Sequence, residues 1–149
     1  VSSSRRRRPA VLLRISAVVG LLAAGCHPAP ALLPPPPATV EVSMSEYRFD
    51  HRPVPAGRVV FRLGNVGRIP HRFALVPLPE DFPPIEQQLH GEEREVVEPL
   101  ASVPDVPPGG RGIVAADVKQ GRWAMICFIV DPDGTSHALK GMATEFRIR

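Results

Sequence analysis

Gly121-Arg-Trp-Ala-Met-Ile-Cys127-Phe-Ile-Val130, followed by Asp131-Pro-Asp-Gly-Thr-Ser-His137, then Ala-Leu-Lys-Gly-Met142 and Ala143 to Arg149, decides how the chain is read. An apolar run leads to a thiol, a polar turn carries an imidazole, a thioether comes next, and an alternating segment closes the chain. Cys, His and Met together form a soft donor set of the kind that suits copper. Trp123, Met125 and Cys127 share parity, and residues two apart in a strand share a face. Cys127 is therefore expected to point inward at the far end of its strand. The run 123–130 is apolar on both faces, so its outer side needs a cover.

Working outward, period-two alternation recurs upstream. Val40, Val42 and Met44 alternate with Glu41 and Ser43, and Val59, Phe61 and Leu63 with Arg58, Val60 and Arg62. Phe73 and Leu75 alternate with Arg72 and Ala74, Phe146 and Ile148 with Glu145, Arg147 and Arg149, and 111–118 reads as a further strand. Alternation of this kind marks half-buried strands. Turn chemistry separates the runs at Pro55-Ala-Gly57, Asn65-Val-Gly67, Pro107-Pro-Gly-Gly110, Lys119-Gln-Gly121 and Pro132-Asp-Gly134. The expectation is an all-β, Greek-key sandwich of two sheets over residues 39–149. Residues 79–98 interrupt the pattern with Pro79, Pro83 and Pro84. A short helix is expected near 84–90, with Ile85 and Leu89 turned inward, and this insert is the candidate cover for 123–130.

The N-terminal part has a different composition. Arg5–Arg8 precede an apolar run that ends in Leu22-Ala-Ala-Gly-Cys26. A basic start, a short apolar middle and small residues at the end describe a secretory signal. The ending resembles a bacterial lipobox, in which the cysteine is lipidated. Residues 1–25 are thus expected to be a lipoprotein signal peptide, and 26–38 a lipidated Cys26 with a proline-rich tether that extends as polyproline II. All fifteen Asp and Glu but only thirteen of the eighteen Lys and Arg lie after residue 38, a net charge of −2 for the expected domain. The basicity of the whole chain belongs to the targeting segment, which removes the footing for nucleic-acid binding. With Cys26 lipidated, Cys127 is left as a lone thiol in an oxidising compartment, where a reason for it is needed. Burial as a small hydrophobe is one such reason and metal ligation the other.

Parity adds a second donor. His71 shares a face with Phe73 and Leu75 and points inward at the start of its strand. Phe61-Arg-Leu-Gly-Asn65-Val-Gly67-Arg-Ile-Pro-His71 resembles the Asn-x-Gly-x-x-x-His segment of the cupredoxins, the blue-copper proteins of the plastocyanin and azurin type. Gly121-Arg-Trp123-Ala-Met-Ile-Cys127 is similar to their Gly-x-aromatic-x-x-x-Cys strand. The resemblance covers most of 39–149 and implies one copper ion in a type 1-like site. His71, Cys127 and His137 would be its equatorial ligands and Met142 the axial one, with Arg72 near the rim.

Nine residues, Phe128 to Ser136, separate Cys127 from His137, where typical members have two to four. The turn Asp131-Pro-Asp-Gly134 allows a small excursion that returns His137 to the site, and equally allows His137 to stay outside. Asp131-x-Asp133-x-Thr135 has the opening of a calcium loop but lacks the remaining ligands, so it reads as turn chemistry. His51 and His90 are expected at the surface and Trp123 in the core.

Three functions follow as expectations. The first is a monomeric, non-enzymatic electron carrier, lipid-anchored on the outer side of a bacterial membrane beside redox partner proteins. The second is a Cu(I) trafficking or protection protein using Cys127, Met142 and a histidine. The third is a metal-free interaction domain whose 128–136 loop contacts a partner.

Overall fold

A strand such as Val59-Val-Phe-Arg-Leu63 buries every second side chain, so two sheets facing each other satisfy all such strands at once. The computed structural model describes residues 34–91 and 95–149 and realises that arrangement. The expected signal segment and Cys26 lie outside the described residues. One sheet has the order β2-β1-β3-β6 and is built from β1 (Ala38–Ser45), β2 (Arg48–His51), β3 (Gly57–Asn65) and β6 (Arg111–Val118). The other has the order β5-β4-β7-β8, from β4 (His71–Leu78), β5 (Ala101–Val106), β7 (Gly121–Ile126) and β8 (Ala143–Ile148). β1 and β3 pair in parallel, and the other pairings are antiparallel. The chain is a Greek-key β-sandwich with one short helix.

The inner faces carry the residues that alternation assigns to them. Val42, Met44, Phe61, Leu63, Phe73, Leu75 and Met125 are buried in one cluster between the sheets, and Cys127 and Met142 belong to it. Each such side chain contributes about 1.5–3 kcal/mol on burial. The outer face of the second sheet has its own apolar layer. Ala74, Val76 and Leu78 of β4 and Ala124 and Ile126 of β7 pack there with Phe82, Ile85 and Ala138. The 79–98 insert supplies Phe82 and Ile85, which explains why β4 and β7 are apolar on both faces.

Helix α1 (Ile85–His90) is too short to be stable by itself. It is held by buried Ile85 and by partly buried Leu89 against the outer layer. Arg122 staples the same insert to the sheet. Its Nη1 donates to the carbonyls of Pro79, Glu80 and Phe82, while Nε and Nη2 donate to Glu145 at 2.9 and 2.8 Å.

Two strands lacked a sequence signal. β2 has one buried apolar residue, Phe49, in four positions. β5 contains Pro104 and lies at a sheet edge, where a missing N–H costs no ladder bond.

Candidate metal centre

His71 opens β4, and the first residue of a strand on the inner face points into the end of the sandwich. Its side chain is fully buried, and among the described residues neither ring nitrogen has a hydrogen-bond partner. A buried, unpaired polar group is costly and calls for an explanation. The segment before it is clamped. Asn65 Nδ2 donates to the carbonyls of Ile69 and Val106, both at 2.8 Å, and its Oδ1 accepts from Gly67 N at 2.9 Å. The Glu46 carboxylate takes the N–H of Arg68, and a Cβ on Gly67 would fall 2.9 Å from that carboxylate. Glycine at position 67 is therefore a matter of room.

Cys127 follows the last residue of β7. Its sulfur is buried and accepts the N–H of Arg72 at 3.2 Å, one residue from His71. The Arg72 side chain turns out to Asp105 at the rim.

His137 resolves the spacing question. The chain leaves Cys127, pairs Val130 with Ser136, turns with Gly134 N donating to the Asp131 carbonyl, and returns. His137 N donates to the Ile129 carbonyl at 2.8 Å, and Ala138 N to that of Cys127 at 3.1 Å. The extra residues form a small hairpin outside the site, and His137 is 1% exposed. Its Nδ1 lies 3.4 Å from the Cys127 sulfur, and its Nε2 lies 3.0 Å from Asp131 Oδ1. Ligand atoms of His71, Cys127 and His137 all fall within 4.8 Å of one another. Met142 is fully buried in the same cluster as Cys127, and its backbone closes the loop. Its N–H donates to His137 O at 2.8 Å, and its carbonyl accepts from Cys127 N at 3.0 Å.

Burial sets the protonation states. Desolvation pushes the His71 pKa down, reinforced by His137, so the ring is neutral with a lone pair to give. Desolvation pushes the Cys127 thiol up, partly offset by the N–H groups of Arg72 and Ile129. Asp131 is held far below the usual carboxylate range by Lys140, then Tyr47, then His137. Tyr47 and Lys140 were not legible as site residues, and Asp131 read only as turn chemistry. Of the other sequence candidates, Trp123 is buried and His90 is exposed on α1, as expected. His51 is only partly exposed, with its ring edge-on to Phe146.

The donor set suits a soft or borderline ion bound through one thiolate and two imidazoles, with a thioether in the same core. Comparison with solved structures agrees on the architecture. The reduced auracyanin of Roseiflexus castenholzii is 18% identical over 75% of this chain and 97% of its own, with a TM-score of 0.53. Auracyanin B is 20% identical over 78% and 93%, with a TM-score of 0.54. This is the cupredoxin fold. Auracyanin A of Chloroflexus aurantiacus, described as a "blue" copper protein, is 19% identical over 76% of this chain and all of its own, with a TM-score of 0.52. Neither the comparison with protein-family models nor that with curated proteins yields a match. Within the cupredoxin fold, the cluster sits at the end of the sandwich where the β3–β4 loop and the 127–142 segment meet.

Proposed function

We propose that the protein is an extracytoplasmic blue-copper electron carrier in which His71, Cys127, His137 and Met142 would hold the ion. The observation that carries this reading is His71. A fully buried imidazole with both nitrogens unpaired, facing a thiol and a second buried imidazole, is accounted for by an ion among them.

Copper bound there supplies a one-electron couple. The chain provides the rest. Neutral His71 and the Nδ1 of His137 offer lone pairs. The backbone N–H groups of Arg72 and Ile129 stabilise negative charge on the Cys127 sulfur. The core cluster keeps water away from the donors. Strand ends and a hydrogen-bonded loop hold the donor atoms fixed, so little rearrangement accompanies a change of charge.

The lipobox-like Leu22–Cys26 and the proline-rich 26–38 segment support attachment to a membrane through Cys26. A tether of this kind would raise the local concentration of the domain near membrane redox partners. In this reading the protein carries electrons and is not an enzyme, and it works as a monomer.

The test is to add Cu(II) to the full chain and record its visible spectrum. Intense thiolate-to-copper charge-transfer absorption, abolished in Cys127→Ser, is expected. Tight Cu(I) binding without that band would replace electron transfer by copper handling. Binding of neither ion would leave a metal-free interaction domain.

A further inference from the structure

We propose that Asp131 is the positioning residue of His137, fixing both the orientation and the tautomer of its ring so that Nδ1 presents a bare lone pair beside Cys127. The inference rests on the copper reading above and adds to it the residues that set the second imidazole.

The geometry leaves little choice. Asp131 Oδ1 lies 3.0 Å from His137 Nε2, and Oδ2 accepts from Tyr47 Oη and from Lys140 Nζ, each at 2.7 Å. A carboxylate held by an ammonium and a phenol is ionised and only accepts hydrogen bonds. Nε2 must then carry the proton of a neutral ring, and Nδ1, 3.4 Å from the Cys127 sulfur, has none. The ring is also confined sideways. Tyr47 meets it edge-on at 5.2 Å between centroids, and His71 at 5.3 Å. Lys140 is in turn fixed by Asp133 at 2.7 Å.

A second observation points to the same group. Tyr47 has φ 60°, the one non-glycine residue with positive φ among the described residues. Such a conformation is uncommon outside glycine and is retained where the surroundings demand it. Here it accompanies a ring that lies against His137 while its hydroxyl reaches Asp131.

A carboxylate on the far nitrogen of a ligating imidazole strengthens it as a donor and typically changes metal affinity by about 10–100-fold. The added negative charge favours Cu(II) over Cu(I), so the reduction potential is set lower than a neutral partner would set it.

The test begins without metal. In the ¹⁵N-labelled full chain free of copper, two-dimensional NMR of the imidazole nitrogens is expected to show His137 as a single Nε2–H tautomer. In Asp131→Ala the tautomers mix, and affinity for Cu(II) falls by about 10–100-fold. In Asp131→Asn, which keeps an acceptor but removes the charge, the tautomer is expected to survive while the reduction potential rises. A purely structural role would lower thermal stability in both variants yet leave tautomer and potential unchanged, which would overturn the proposal. So would an Nδ1–H tautomer in the unsubstituted protein. Undiminished copper binding by Cys127→Ser would sink the copper reading alone, because the tautomer measurement uses no metal.

Discussion

His71 stands at the first position of an eight-residue strand with core side chains beside it, whereas His137 lies in a loop sixty-six residues later. No hydrogen bond from the described residues holds the ring of His71, and its direction follows from the pleat of β4 and the clamped segment before it. His137 has no strand to aim it, and three side chains do so instead, Asp131 by a direct polar contact, Tyr47 both by its ring edge and through Asp131, and Lys140 through Asp131. The contrast teaches that a donor borne on a strand inherits its geometry from the sheet, while one borne on a loop needs a partner on its far nitrogen. Both arrangements meet at one turn. Glu46 grips the loop before His71 and Tyr47 grips the anchor of His137.

Breaking the strand-borne side should have the largest effect on stability. Asn65→Ala removes the donors to two carbonyls, one of them in a buried contact with Val106. A loss of about 1–3 kcal/mol is expected in chemical unfolding. Because the Asp131 network is untouched, the His137 tautomer should not change. On the loop-borne side the counterpart is Gly134→Ala. Gly134 has φ 81° with open space around its Cβ position, so the cost is conformational alone, about 1 kcal/mol. Copper affinity should weaken a few-fold while backbone amide shifts in β4 and β7 stay in place.

The smallest effect sharpens the contrast through pH. Burial lowers the His71 pKa below its ordinary 6.5 in the folded, metal-free protein. On acidification the unfolded chain therefore binds the proton first. Stability is full above that ordinary value and falls as pH drops from it towards the folded pKa. Denaturant midpoints of the metal-free protein should decline from neutral pH to mildly acid pH by no more than the uptake of one proton at this site. His71→Leu should remove that component, and an unchanged slope would mean that His71 is not the group responsible.

Much of this was legible in the sequence, and the gaps have physical causes. Alternation located β1, β3 and β8, because each has one face in the core and the other largely towards solvent, and it located the start of β4, where Arg72 separates His71 from Phe73 before the outer face turns apolar under the insert. Parity then aimed His71 and Cys127 into the same end of the sandwich. β2 escaped because Phe49 is its one buried apolar side chain, and β5 because Pro104 argues against a strand anywhere but at an edge. The return of His137 could not be read from its spacing. It depends on Asp131 meeting a tyrosine eighty-four residues away, and no local pattern records that contact. Asp131 does serve the turn, as its neighbours suggested, since its carbonyl accepts from Gly134. Its carboxylate has the second task.

The outer apolar layer bears on how the site breathes. Ala138, next to His137, is buried with Phe82 and Ile85 of the insert, and its N–H is bonded to Cys127. Lifting the insert would therefore uncover the segment that carries the second imidazole, so the two should open as one cooperative unit. Amide protons from Cys127 to Met142 would exchange at rates closer to those of the sheet than to those of a surface loop. An insert that supplies none of the donors would thus govern how readily solvent reaches them.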